Sequence, residues 1–172
     1  GKKKSKKLKK RIYKSENQSD EIDREITDFL THIAENDLTE ANSRRITAMF
    51  KITNDIESIA DQCIEMERTI SRKNEAKAWF SQDMRDDLFS LFSLVTEALE
   101  TMTENLEKEY RPGILARASE IEIKINELRD KLIQRSKLRI QSGEYNYQQG
   151  AFFDELLNHC EKLADHVLHV NQ

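Results

Sequence analysis

The chain has 172 residues, of which 60 are charged (28 Lys plus Arg and 32 Asp plus Glu), but only 4 are Gly and 1 is Pro. So few glycines and prolines cannot supply the turns of a β-sandwich, a β-barrel or a Rossmann sheet, and the composition therefore predicts an all-α protein of one or two domains. The charge is uneven, because residues 1–14 carry nine basic side chains and no acid, whereas residues 15–172 hold 19 basic and 32 acidic side chains, a net charge of −13.

The first element is this basic segment, residues 1–14. Its lysines are typical of a solvated tail or of a segment beside anionic lipid, where each Lys contributes roughly 1 kcal/mol of attraction. A run of lysines also suits the phosphates of a nucleic acid, but the acidic remainder of the chain argues against that partner. We therefore expect no nucleic-acid binding.

After the basic segment, apolar residues recur at helical spacing with few interruptions. This pattern predicts a bundle of antiparallel helices joined by short connections, each helix with one apolar and one charged face. No segment has the roughly 18 consecutive apolar residues of a membrane span. The predicted helices cover roughly residues 6–35, 40–72, 82 to the Arg111-Pro112-Gly113 break, 114–141 and 151–170, with residues 142–150 as the one extended loop-like segment.

The apolar stripes predict which residues form the core. Free cysteines are commonly buried, so we expect Cys63 and Cys160 to be buried thiols in a reducing compartment. In the first helix the stripe consists of Ile12, Ile22, Ile26, Phe29, Leu30 and Ile33, and in the second of Ile46, Met49, Phe50, Ile52, Ile56, Ile59, Cys63, Met66 and Ile70.

A weak internal repeat appears at an offset of 104 residues. It places KITNDIESIADQCIEM, residues 51–66, over ELLNHCEKLADHVLHV, residues 155–170. The identical pairs are Asn54 and Asn158, Glu57 and Glu161, Ala60 and Ala164, and Asp61 and Asp165. Two of the predicted helices therefore share one sequence pattern.

Each copy of the repeat contains an E-x-x-x-D pair beside a small Ala. The spacing puts both carboxylates on one helix face, one turn apart, where they either chelate a cation or repel each other. Both pairs continue an apolar stripe, and a carboxylate at the margin of a core requires a partner. A metal ion, a Lys or Arg from another helix, and water are all open as that partner. The candidate metal ligands are Glu57, Asp61, Glu161 and Asp165.

These motifs, NDIESIAD at 54–61 and CEKLADH at 160–166, resemble the PhoU family. The acidic stretch 20–23 also resembles the paired-acid segment on the preceding helix of a family repeat. The resemblance implies two three-helix repeats whose E(D)xxxD motifs bind metal ions. The cations that it implies are divalent or iron-type (Zn, Mn, Fe or Mg), held by the four carboxylates named above.

Two such repeats have six helices, whereas the sequence predicts five. Residues 15–80 would then form a first repeat that lacks a helix, and residues 81–172 a complete second repeat. This arrangement resembles the cytoplasmic PhoU-like domain of bacterial sodium-dependent phosphate cotransporters. The resemblance implies regulation of phosphate uptake on the cytoplasmic face of the inner membrane. It also implies a covalently linked membrane transport domain next to residues 1–14, and as further partners a signalling protein or a second copy of the chain.

The residues offer no pattern that favours an enzyme. The Glu-x-x-His motifs of di-iron bundles and a phosphate-binding glycine loop are both missing from the sequence. Three histidines, His159, His166 and His169, cluster near the end of the chain. His166 follows the second motif's Asp, so it is either an imidazole ligand or a hydrogen-bonding group. The alternative to metal-dependent regulation is a metal-free structural module that dimerises through apolar helix faces.

Overall fold

The structure, a computed structural model, describes residues 2–107 and 113–172. Five helices and no strand occur in these residues, which confirms the predicted all-α bundle. The Arg111-Pro112 part of the predicted helix break lies outside the described residues. Within the described part of the chain, none of the helices is long and apolar enough to cross a membrane. The helices are α1 (Lys2–Ala34), α2 (Glu40–Glu75), α3 (Gln82–Glu107), α4 (Ile114–Gln141) and α5 (Tyr147–Asn171).

The basic segment is the first turns of α1 and not a tail, because α1 begins at Lys2. Its side chains also contact the next helix. The Lys9 ammonium lies 3.0 Å from a carboxylate oxygen of the buried Glu67, and the Tyr13 hydroxyl donates a hydrogen bond to the other oxygen at 3.1 Å. One end of the segment is thereby held against α2.

Side-chain caps determine where two of the helices begin. Thr39 accepts a hydrogen bond from the backbone N–H of Asn42 at the start of α2, where the sequence predicts it. Helix α5 starts earlier than the predicted residue 151, because Asn146 and Gln149 form a reciprocal capping box. Gly150 therefore lies within the helix, and a Cβ atom at this position would collide with Ile140 of α4. The glycine permits close packing instead of forming a loop.

Helix α5 occupies the centre of the fold. It packs against α2, α3 and α4, and α3 also packs against α4. Helices α3, α4 and α5 therefore form a three-helix bundle, to which α2 attaches through α5. Among the described helices, α1 packs against α2 alone. The architecture is thus an α1–α2 hairpin joined to a three-helix bundle.

Most of the core lies in the three-helix bundle and its contact with α2. Cys160 is fully buried there, as predicted, and burial raises the pKa of its thiol to about 12. Cys63 is only partly buried. Fully buried apolar residues of the core include Met84, Leu91, Ile121, Ile125, Leu132, Phe153, Leu156, Leu157 and Leu163.

The apolar stripe of α1 is less buried than the sequence predicts. Leu30 is buried, but Ile22 is 56% exposed and Phe29 is 65% exposed. The reason is that α1 has only one helical neighbour, so part of its apolar face has nothing to pack against in the described structure. A stripe in the sequence reports that a face is apolar, not how many helices cover it.

A polar cluster holds the start of α3 against the end of α4 and the loop that follows it. The Asp83 carboxylate accepts hydrogen bonds from the hydroxyls of Ser81 and Tyr145 and pairs with the guanidinium of Arg139. Burial by itself raises the pKa of Asp83, but these three partners outweigh it and hold the pKa at about 2. The carboxylate is thus stabilised in its charged form.

We predict that Asp83→Asn destabilises the protein by about 1 kcal/mol at pH 7, a figure reduced for solvent screening of this partly exposed group. Because the pKa of Asp83 falls from 3.8 in the unfolded chain to about 2 in the folded protein, its contribution is complete above about pH 4 and is lost as the pH falls towards 2. Urea unfolding of both proteins between pH 2 and 7 measures this. The control is Asp86→Asn, which alters an exposed carboxylate of α3. A difference that does not depend on pH would contradict the prediction.

Candidate functional site

The sequence repeat has a counterpart in the contact between α2 and α5. At the offset of 104 residues, position 55 corresponds to 159 and position 62 to 166. A contact of Asp55 with His166 therefore maps onto a contact of His159 with Gln62. Both contacts exist: His166 Nδ1 lies 2.9 Å from Asp55 Oδ1, and His159 Nδ1 lies 2.9 Å from Gln62 Oε1.

These exchanged contacts show that α2 and α5 pack antiparallel about a local two-fold axis. The midpoint between the two contacts lies near Ile59 on α2 and Leu163 on α5, which are both buried. The small residue that follows each of them is Ala60 or Ala164, and Ala164 is also buried. The repeat noticed in the sequence is thus a packing symmetry, and the polar groups flank its apolar centre.

In the first predicted carboxylate pair, Glu57 and Asp61, the glutamate lies near the acids of α1. Glu57 is partly buried and Asp61 is exposed. Burial raises the pKa of Glu57, and the negative charges of Asp61, Asp23 and Asp20 raise it further. One carboxylate oxygen of Asp23, Oδ1, is buried and has no hydrogen-bond partner in the described structure. None of the ion pairs between described residues involves these four acids.

The second predicted pair, Glu161 and Asp165, has a different environment. Burial and the charge of Asp165 raise the pKa of Glu161, whereas Arg129 of α4 acts in the opposite direction. The Arg129 Nη2 atom lies 3.4 Å from Glu161 Oε1. An Arg from another helix, one of the partners left open by the sequence, thus accompanies the second pair. The charges that act on Glu57 lie on α1 and α2, and those that act on Glu161 lie on α4 and α5, so the two pairs lie in separate environments.

A third group of metal-ligand type lies on the α2–α5 interface. One ligand atom from each of Asp55, His166 and His169 lies within 4.8 Å of the other two, and no other group of three or more His, Cys, Asp or Glu meets this criterion in the described part of the chain. The sequence drew attention to the histidines but not to Asp55. His-x-x-His spacing does place two imidazoles on one helix face, but their partner on α2 appears only when the helices pack.

The fold and these sites define an antiparallel helical bundle with an internal repeat and acidic groups at the margins of its core. In the comparison with protein families, the model described as the PhoU domain matches residues 2–70. That region comprises α1 and most of α2, including Glu57 and Asp61. Over these residues the chain is similar to the PhoU family. Neither the curated proteins nor the solved structures contain a significant match to the chain.

We predict that Glu57→Gln increases the stability of the metal-free protein by a few tenths of a kcal/mol at pH 7, the size of a like-charge i,i+4 repulsion. The raised pKa of Glu57 means that its ionisation favours the unfolded chain, so the gain grows as the pH rises above 4.5. Thermal unfolding in a chelator at pH 4 and pH 7 measures the effect.

The control for this prediction is Glu40→Gln, since Glu40 is an exposed α2 carboxylate that pairs with Arg44. It is expected to leave the stability unchanged or to lower it slightly. A loss of stability in Glu57→Gln at pH 7 would mean that a favourable partner holds this carboxylate.

Proposed function

We propose that this chain is a non-enzymatic, phosphate-related regulatory domain that binds cations at Glu57 and Asp61 and modulates phosphate uptake through protein contacts. The observation that carries the proposal is the acidic group on α1 and α2, within the region that matches the PhoU domain. The negative charges of three other carboxylates raise the pKa of Glu57 there, and a buried oxygen of Asp23 has no hydrogen-bond partner in the described structure. Such a group gains stability when a cation joins it.

The ligand chemistry favours hard cations at this site. Its donors are carboxylate oxygens, which suit Mg²⁺, Mn²⁺ and iron-type ions better than soft metals. Glu57 and Asp61 would hold the ion from α2. Asp23 would complete the site from α1 after a side-chain rotation, because the ligand atoms of these three acids do not all lie within 4.8 Å of one another. At Glu161 and Asp165 an ion must displace the guanidinium of Arg129 or share the Glu161 carboxylate with it. We therefore assign these two residues to a second, weaker site.

The context that fits best is the cytoplasmic side of a sodium-dependent phosphate cotransporter. Nine basic side chains lie in residues 1–14, and α1 begins at Lys2, so the positive charge is concentrated at one helix end. A basic helix end beside a membrane is attracted to anionic lipid. In this proposal a transport domain adjoins that end, and the carboxylate site on the same hairpin transmits cation binding to it or to a signalling protein.

Cation binding is tested first on the chain itself. We predict that Mn²⁺ or Mg²⁺ raises the melting temperature of the wild-type protein, because the ion binds the folded state and relieves the repulsion among the carboxylates. The double variant Glu57→Gln/Asp61→Asn is expected to lose this increase, whereas Glu40→Gln retains it. Calorimetry with each metal after chelator treatment makes the measurement. An equal increase in all three proteins would exclude Glu57 and Asp61 as the ligands.

The regulatory part of the proposal is tested in cells. In a host whose phosphate uptake depends on the complete natural protein, the double variant is expected to change the rate of uptake at unchanged protein abundance. Radioactive phosphate uptake, with and without sodium, makes this measurement. If the metal response is lost but uptake remains normal, the cation site exists without the proposed regulatory role.

A metal-free dimerisation module is the second candidate, and the exposed apolar face of α1 favours it. Phe29, Ile22 and Ile26 on α1 and Ile56 on α2 are all exposed. We predict that a second copy covers this face and that Phe29→Ser weakens self-association at least tenfold, because a buried aromatic anchor is lost. Phe89→Ser on α3 is the control, since Phe89 is equally exposed on another helix. Sedimentation equilibrium in chelator measures the association, and a wild-type monomer at all concentrations rejects the module.

A further inference from the structure

The α2–α5 interface carries a group of side chains that the proposed carboxylate site does not use. Asp55 on α2 is buried, and it faces two imidazoles on α5. His166 Nδ1 lies 2.9 Å from Asp55 Oδ1, and His169 Nδ1 lies 3.5 Å from the same oxygen. The two rings are 6.1 Å apart, at an angle of 82°. Three potential metal-ligand atoms from two helices thus lie close to one another.

The local two-fold axis shows that packing does not require these residue types. At the related position His159 contacts the neutral amide of Gln62, at the same 2.9 Å distance. The contact of His159 with α2 is thus made by an imidazole and an amide, and the carboxylate that pairs with His159, Glu155 at 3.8 Å from Nε2, belongs to α5 itself. On the other side of the axis the residue opposite the imidazole is a buried carboxylate, Asp55, and a second imidazole, His169, lies 3.5 Å from it. These two differences create a ligand set that the helix contact alone does not need.

The group also has the composition and the dimensions of a transition-metal site. Two imidazoles and a carboxylate are a common zinc ligand set, with the fourth position left to water or another donor. Tetrahedral zinc with bonds of about 2 Å requires ligand atoms roughly 3.3 Å apart. The three ligand atoms here already lie within 4.8 Å of one another, so small side-chain rotations bring them to that spacing. His169 is exposed, which gives an ion access from solvent.

From these contacts we infer that Asp55, His166 and His169 bind a borderline transition-metal ion, Zn²⁺ or Co²⁺, with a fourth coordination position open to solvent. The site is distinct from the carboxylate pairs. Residues two apart on a helix point about 200° apart, so Asp55 faces α5 while Glu57 faces α1. Nitrogen donors also distinguish the sites, because imidazole suits zinc, whereas an all-oxygen group suits harder ions. The inference therefore does not depend on the proposed regulatory function.

The test uses the full chain after chelator treatment, with Zn²⁺ in equilibrium dialysis and Co²⁺ as a spectroscopic probe. The wild-type protein is expected to bind one Zn²⁺ at this site and to give the intense visible absorption of tetrahedral Co²⁺. Asp55→Asn places an amide opposite His166, as Gln62 does opposite His159, and His169→Ala alters an exposed side chain. Each is expected to weaken Zn²⁺ binding at least tenfold and to abolish the cobalt spectrum. Circular dichroism confirms that both variants are folded.

Two controls make the result specific. His159→Ala removes an imidazole from the same helix and the same kind of contact, and is expected to leave Zn²⁺ binding and the cobalt spectrum unchanged. Glu57→Gln/Asp61→Asn is expected to leave them unchanged as well. Equal losses in His159→Ala would show non-specific binding to histidines, and a loss in the carboxylate variant would place the ion at Glu57. Either result, or unaltered binding in Asp55→Asn and His169→Ala, overturns the inference.

Discussion

The antiparallel contact between α2 and α5 is the interaction on which the rest of the structure depends. Helix α1 packs against α2 alone, and α3 and α4 pack with α5, so this one contact joins the two parts of the protein. Its centre is apolar, with Ile59 and Leu163 buried beside small alanines. Small residues permit close approach of the helices, and burial of apolar surface supplies the free energy that holds the hairpin to the bundle.

The polar groups around this contact follow from its symmetry and from where the symmetry breaks. Across the interface His159 contacts the neutral amide of Gln62, whereas Asp55 faces His166 and His169. The carboxylate pairs differ in the same way. Glu161 has Arg129 nearby, but the neighbours of Glu57 are further acids. The two halves of the repeat thus pack alike but differ in charge. A cation would therefore have the most effect at Asp55 and Glu57.

Periodicity predicted the fold well because each helix of this protein has a clear apolar face. The existence and order of the helices, the beginning of α2 after Thr39 and the burial of Cys160 all followed from the pattern. Other expectations were wrong, and Gly150 and Phe29 show the physical reasons. Gly150 was taken for part of a loop, although the Asn146 capping box starts α5 before it. Phe29 was expected in the core, although α1 has no second helix to cover it.

By itself, the sequence determined the helical class, the repeat, and the carboxylate pairs, because these depend on spacing along one chain. The surroundings of each pair were left open, since a partner from another helix is a matter of packing. Only the tertiary structure decided that Glu161 meets Arg129 while Glu57 meets Asp23, and that Asp55 lies against His166. Residues 111 positions apart come together only when α2 and α5 pack antiparallel, and no helical periodicity within either segment contains that information.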